Sequence, residues 1–134
     1  MPATATLTAG QIAFLDDLHY AIVGTLNANG TIQQTVVWYL VEDHHLRFGI
    51  GGNSTKARNL QRNPTITVTV AAGVRYLSIR GTAVLEPPDL DLRRRLVIRY
   101  RGPEHVEEWL ARRPDAPRLS VRVLIEQVYG QQVA

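Results

Sequence analysis

Residues 48–64, Phe-Gly-Ile-Gly-Gly-Asn-Ser-Thr-Lys-Ala-Arg-Asn-Leu-Gln-Arg-Asn-Pro, hold the side chains best suited to chemistry in this chain. Gly49, Gly51 and Gly52 allow a ligand close to the backbone. Asn53, Ser54 and Thr55 are N-cap types, so a short helix is expected to start here and to end at Asn63-Pro64. Lys56 and Arg58 then fall in its first turn, where the helix dipole disfavours cations. An anion seated at the helix start resolves that conflict. The expectation is a loop that binds a phosphate group.

The charge pattern around this stretch is one-sided. A net charge of +3 over 134 residues is by itself a weak pointer to an anionic partner. Residues 44–85 contain no Asp or Glu, yet Arg47, Lys56, Arg58, Arg62, Arg75 and Arg80 all fall inside. The acids collect at Asp16-Asp17, at Glu42-Asp43 and from Glu86 onward. Lys56 is the only lysine among 15 basic residues. A compact ammonium on a flexible stem suits a phosphate; a genome biased toward arginine codons would leave the same pattern. Arg75 and Arg80 either serve an acidic ligand or solvate the exterior.

Other chemistries find little support. No cysteine is present, which removes thiolate catalysis, disulfides and thiolate metal sites and fits a cytoplasmic protein. Ser54, Ser78 and Ser120 are the candidate nucleophiles, and none lies in a Gly-x-Ser-x-Gly elbow. His19, His44, His45 and His105 form no His-x-His or His-Glu-x-x-His pattern, so no metal site is expected. Asp16-Asp17, Glu42-Asp43 and Glu107-Glu108 read as solvation and capping. Trp38, Tyr39 and Tyr76 near a basic stripe could stack on single-stranded nucleic acid. Aromatics make up only 7% of residues, however, and do not alternate with cations. What remains is chemistry borne by a bound organic cofactor, for which a protein supplies orientation and electrostatics.

These residues need a scaffold. With 45% hydrophobic and 20% charged residues, one globular domain over residues 1–134 is expected. No apolar run is long enough for a membrane span, and the first residues lack the basic-then-apolar order of a secretory signal. Thr8 caps an expected helix reaching Leu18, with Ile12, Phe14, Leu15 and Leu18 as its apolar face. Strands are expected over 20–26, 31–41, 46–50, 65–71, 75–85 and 119–129. Asn29-Gly30 supplies the positive φ of the first hairpin turn, and Gly81 marks a bulge or bend. Asp89 caps a helix running to about Arg101, with Leu92, Leu96, Ile98 and Tyr100 inward and Arg93-Arg94-Arg95 as a solvated face. Pro103 opens a second helix over 104–112. Residues 113–117 form a loop. Six strands joined by hairpins, with few helices and no regular crossovers, argue for a closed or partly closed antiparallel barrel.

Three segments carry a resemblance. They are Thr25-Leu26-Asn27-Ala28-Asn29-Gly30, then Gln33-Gln34-Thr35-Val36-Val37-Trp38-Tyr39, then Ser54-Thr55-Lys56-Ala57-Arg58-Asn59-Leu60 before Asn63-Pro64. Together they resemble the pyridoxamine-phosphate-oxidase-like split β-barrels, and among them the deazaflavin-dependent reductases that use coenzyme F-420. The likeness runs from Leu7-Thr8 to Val128-Tyr129-Gly130. It implies a mainly β (α+β) fold, a six-stranded antiparallel split β-barrel with short flanking helices, working as a homodimer with cofactor sites at the interface. By this resemblance Gln34, Val36, Val37 and Trp38 line the cofactor ring. Gly49, Ile50, Ser54, Thr55 and Lys56 hold the ring edge and phosphate, Arg58 and Asn59 meet the phosphate or tail, and Tyr76 faces the ring. Many relatives carry proline where this chain has Val36. The terminal substrate-binding signature of true pyridoxamine-phosphate oxidases is not evident, so that activity is not expected.

The resemblance further implies an oxidoreductase that transfers a hydride between F-420 and an unsaturated or tetrapyrrole-like small molecule, with no nucleic acid, membrane or metal involved. The phosphate and acidic tail of F-420 would suit the acid-free tract. FMN in the same fold is the alternative cofactor, and a non-catalytic carrier of F-420, flavin or haem is the alternative role. No catalytic side chain is assigned; the proton would come from solvent or a nearby tyrosine.

Overall fold

The computed structural model describes residues 5–112 and 116–134. The loop expected at 113–117 therefore lies outside the described residues at its first three positions. Helix α1 (Ala9–Asp16) starts at a capping box: Thr8 Oγ1 accepts from the Gln11 N–H, and the Gln11 side chain accepts from the Thr8 N–H. Phe14 and Leu15 are buried, whereas Leu18, expected on the apolar face, follows the helix end and is exposed. Strands β1 (Ala21–Leu26) and β2 (Ile32–Val37) form the expected hairpin. Gly30 alone takes the positive φ, +85°; Asn29 instead accepts through its side chain from the Thr31 N–H at 3.1 Å.

The strand expected over 31–41 is in fact two. β2 ends at Val37, and β3 (Leu40–Glu42) begins after Trp38 and Tyr39. Tyr39 leaves the ladder because its N–H donates to Tyr100 Oη at 3.2 Å and its hydroxyl to Leu15 O at 2.8 Å. Burial of the ring pushes that hydroxyl's pKa well above the ordinary tyrosine value. With β4 (His45–Gly51), β5 (Thr65–Ala72), β6 (Arg75–Glu86) and β7 (Arg118–Gln131), the described residues form seven strands rather than six.

Their order is β2-β1-β5-β6-β7-β4-β3, with every pair antiparallel. β2 and β3 are neighbours in sequence but lie on opposite edges. Three Cα steps join Val37 to Leu40, a reach of roughly 10–11 Å. The two edges must therefore lie side by side without pairing. The sheet is a split barrel with one open seam, and Trp38-Tyr39 crosses it.

Alternation fills the barrel: Ile66, Val68 and Val70 point inward from β5 between outward threonines, and join Phe14, Leu15, Phe48 and Ile125 in the core. Gly81 sits at a register shift between β6 and β7, where a Cβ would stand 2.3 Å from Leu124 O. α2 (Thr55–Arg62) follows β4. α3 (Leu90–Arg101) starts where Asp89 Oδ1 accepts from the Leu92 N–H at 2.9 Å. Leu92 and Leu96 pack with Leu40, Trp38 and Tyr100 in a second cluster, while Ile98, expected inward, is exposed. The second expected helix is a 3-10 turn (Pro103–His105) running into α4 (Val106–Leu110). Among the described residues no helix is long and apolar enough to cross a membrane.

Candidate functional site

Ser54 caps α2: its Oγ accepts from the Ala57 N–H at 3.1 Å and donates to Gly51 O at 2.7 Å. These two hydrogen bonds clamp the end of β4 to the helix start. Lys56, in the first turn, then reaches over the seam, and its Nζ donates to Thr35 Oγ1 of β2 at 2.5 Å. Burial holds this amine below the ordinary lysine pKa. Arg58 turns back on the loop, donating to Asn53 O at 2.7 Å and Thr55 Oγ1 at 3.3 Å. Asn59 is buried; its Nδ2 donates to Thr25 Oγ1 (3.0 Å) and Asn27 Oδ1 (2.9 Å). Those bonds fasten α2 to the β1–β2 hairpin. Arg58 thus has a local partner at the helix start, and Lys56 is the cation left facing the seam.

A cavity of about 910 Å³ opens along this seam. Val36, Val37 and Trp38 of β2 and its exit form one side, and Gly49, Ile50 and Gly51 of β4 the other, with Lys56 of α2 and then α3, α4 and the start of β7 completing the wall. Phe48 and Ile50 are buried in the core, so the alternate positions Gly49 and Gly51 turn bare backbone outward. A Cβ on Gly49 would lie 3.3 Å from Arg118 Nη2, whereas one on Gly51 would meet only Ser54 Cβ at 3.8 Å. The floor is bare backbone at Gly51, and the Arg118 guanidinium lies over it at Gly49.

Val36, Val37, Trp38, Gly49, Ile50 and Lys56 of the expected cofactor residues line the cavity. Gln34 is exposed on β2, on the same face as Val36. Ser54, Thr55, Arg58 and Asn59 shape the loop and helix rather than the wall. Tyr76 lies on β6, opposite Ala71 and Gln131, and is not part of the wall.

Arg93, Trp109, Arg112 and Arg118 line the cavity but escape the sequence reading. Arg93 belongs to the run expected to be a solvated face. Arg94 and Arg95 do meet acids there, Glu107 at 3.6 Å and Glu42 at 2.6 Å. Arg93 instead shares a helix face with Leu96 and Val97, three and four positions on, and that spacing is a signal present in the sequence. Its Nη2 donates to Trp109 O at 2.9 Å and Arg112 O at 3.2 Å, tying α3 to the end of α4. Arg118 has no such signal, for it comes opposite Gly51 only through the β4–β7 register. Burial, and then the Arg93 charge, hold the Arg118 pKa below its ordinary value.

Aromatic rings close the cavity on the α3–α4 side. Trp38 stacks on Tyr100 at 5.1 Å and meets Trp109 at 5.0 Å, and the Arg112 guanidinium covers Trp109 at 4.0 Å. Asp89 is the only carboxylate on the described wall, held below the usual carboxylate range by the Leu92 N–H and by Arg47. Ser120 spends its hydroxyl on Pro87 O at 2.8 Å. No tyrosine lines the described wall. The site can bind anions and seat a flat ring, and among the described residues it presents no nucleophile or acid set to react.

A split antiparallel barrel with a cationic, glycine-floored cavity along its seam defines a class of small cofactor-sized binding barrels. The chain belongs to the family described as pyridoxamine 5'-phosphate oxidase, whose model matches residues 7–132. It is 30% identical over 129 residues to the F420H(2)-dependent biliverdin reductase of Mycobacterium tuberculosis (strain CDC 1551 / Oshkosh), spanning 95% of this chain and 90% of that protein. A solved structure described as an F420 reductase is 25% identical with a TM-score of 0.77, covering 92% of this chain and 98% of that one. The conserved hypothetical protein Rv2991 of Mycobacterium tuberculosis shares the fold, at 20% identity and a TM-score of 0.78 over 95% of this chain and 85% of its own.

Proposed function

We propose that this protein is an oxidoreductase that transfers a hydride between coenzyme F-420 and an unsaturated or tetrapyrrole-like small molecule, acting as a homodimer of single-domain chains. One observation carries the reading: Lys56, half-buried and hydrogen-bonded to a neutral hydroxyl, stands beside the bare backbone of Gly49 and Gly51 in a cavity large enough for a cofactor ring. A desolvated ammonium gains most from an anion, so a phosphate suits Lys56. The glycine floor facing Val36 and Trp38 suits a flat ring. Similarity to the F420H(2)-dependent biliverdin reductase and to the F420 reductase supports the cofactor, and the former supports a tetrapyrrole substrate.

When bound, the deazaflavin ring supplies the hydride. The chain's own residues hold and orient. Lys56 would hold the phosphate, Gly49 and Gly51 would give the ring room beside β4, and Val36 and Trp38 would shield it from water. The proton that accompanies reduction enters from solvent. The dimer reading rests on Ile22, Ile32 and Val36, which are exposed on the outer face of the β1–β2 hairpin. Val36 also lines the cavity, so a partner covering this face would border the cofactor.

Fluorescence titration with F-420 and with FMN tests the reading. F-420 is expected to bind at micromolar levels, FMN more weakly, and Lys56→Ala should raise the F-420 Kd about tenfold, the worth of one charge-assisted hydrogen bond. Unchanged affinity in Lys56→Ala sinks the role of the lysine. Tighter binding of FMN, with yellow protein on purification, sinks the cofactor.

A further inference from the structure

The cavity carries more positive charge than one phosphate needs. Lys56 is tied to Thr35 on β2, one side of the seam. Arg118 lies on the other side, with Nη2 over Gly49 of β4, and the absence of a Cβ at Gly49 leaves it that room. Arg93 lines the same wall and is fixed by the carbonyl groups of Trp109 and Arg112. The single carboxylate on the described wall, Asp89, is already engaged with Arg47 at 3.0 Å and with the Leu92 N–H at 2.9 Å. Arg112 is likewise engaged, with Glu108 at 3.2 Å and with the Trp109 ring. Two guanidinium groups that share a half-buried wall repel each other, and an anion between them removes that cost. Trp109 and Trp38 line the same cavity, 5.0 Å apart, and give it an aromatic border.

We propose that Arg118, with Arg93 beside it, forms a second anion subsite on the β4 side of the cavity, which takes a carboxylate or sulfonate carried by the flat conjugated molecule that accepts the hydride. The proposal rests on the oxidoreductase reading for the word acceptor, but the subsite itself is testable without the cofactor. Arg118 provides the bidentate contact, Arg93 adds fixed charge, and Trp109 and Trp38 hold the ring system. Lys56, across the seam, stays with the phosphate. Uncharged acceptors would bind through the rings alone.

Two probes that differ by one charge decide it: anilinonaphthalene sulfonate and its sulfonate-free analogue phenylnaphthylamine. The chain has 2 tryptophans, Trp38 and Trp109, and both line the cavity, so probe emission sensitised by tryptophan reports on this site. The native protein is expected to prefer the sulfonate by about tenfold, as one charge-assisted contact implies. Arg118→Gln should abolish that preference, Arg118→Lys should keep part of it, and Lys56→Gln should leave it. In parallel, Arg118→Gln should weaken F-420 by less than it weakens the sulfonate, since Lys56 keeps the phosphate. The proposal is overturned if the native protein shows no sulfonate preference, or if Lys56→Gln abolishes it. It is also overturned if Arg118→Gln weakens F-420 as much as the sulfonate, which assigns the subsite to the cofactor's acidic tail. If Arg118→Gln does not fold, Arg118→Lys decides: a preference no smaller than native for a group that cannot bind bidentately overturns the role of the guanidinium. Failure of the native protein to bind F-420 at all removes the oxidoreductase reading and leaves the sulfonate comparison standing.

Discussion

Lys56 and Thr35 meet across a gap in the sheet: Nζ donates to Oγ1 at 2.5 Å, from the first turn of α2 to the edge strand β2. Burial lowers the lysine pKa, so the unfolded chain binds that proton more tightly than the folded one. The cost to folding is full at neutral pH and fades as pH rises toward the ordinary value of about 10.4. Lys56→Met keeps the stem and removes the charge. It should raise Tm by about 2–4 °C at neutral pH while weakening anion binding. Melts across the alkaline range should show the two proteins converging. A variant that melts no higher than native at neutral pH refutes the argument.

Arg47 ties the β3–β4 hairpin to the start of α3. It meets Glu42 at 2.9 Å and Asp89 at 3.0 Å, and Arg95 meets the same Glu42 at 2.6 Å. The bonds from Arg95 and then Arg47 hold the Glu42 carboxyl low, and the Leu92 N–H and Arg47 hold Asp89 low. For acids with depressed pKa the added stability is present above the ordinary value of about 4 and is lost as pH falls through the depressed values. Arg47→Met should lower Tm by about 4–8 °C at neutral pH, with the gap narrowing on acidification. A gap that persists undiminished at acid pH would assign the loss to packing rather than to these carboxylates.

Two glycines should respond in opposite ways to the same added methyl. At Gly81 the Cβ would stand 2.3 Å from the Leu124 carbonyl oxygen, which belongs to a paired strand and cannot move away. Gly81→Ala should cost about 2–4 kcal/mol and be visible in chemical denaturation. At Gly49 the Cβ would stand 3.3 Å from Arg118 Nη2, the far end of a flexible side chain. Gly49→Ala should fold with a near-native denaturation midpoint and lose affinity in the cavity instead. Equal destabilisation of the two variants would contradict this assignment.

Ile22 stands directly opposite Val36 on the β1–β2 hairpin, and both are exposed on its outer face. If this face joins two copies, light scattering should give a dimer for the native protein and a monomer for Ile22→Arg, because a charge buried in an apolar interface costs several kcal/mol. The variant should keep its fold by circular dichroism, since the mutated side chain leaves the core untouched. A native protein that runs as a monomer at tens of micromolar removes the dimer.

Local features of this chain were legible because their causes are local. The Asp89 cap, the Ser54 region opening α2, the inward Ile66-Val68-Val70 of β5 and the turn at Gly30 each depend on residues within a few positions. The break at Trp38-Tyr39 was not, since Tyr39 is drawn out of the ladder by Tyr100, 61 residues away. That one contact changes the strand count and places β2 and β3 on facing edges.

The candidate site divides in the same way. Its Lys56 and its glycines lie in one short segment, where residue type and helix-start chemistry already point to an anion. Arg118 enters only because β7 pairs with β4, whereas Arg93, marked in the sequence by its spacing from Leu96 and Val97, reaches the cavity once α3 docks over the seam. Sequence by itself determines which segments curl and which extend, through caps, turns and alternation. Which edges face each other, and so which charges share a cavity, follows from closing a twisted sheet around its core, a constraint that no single segment carries.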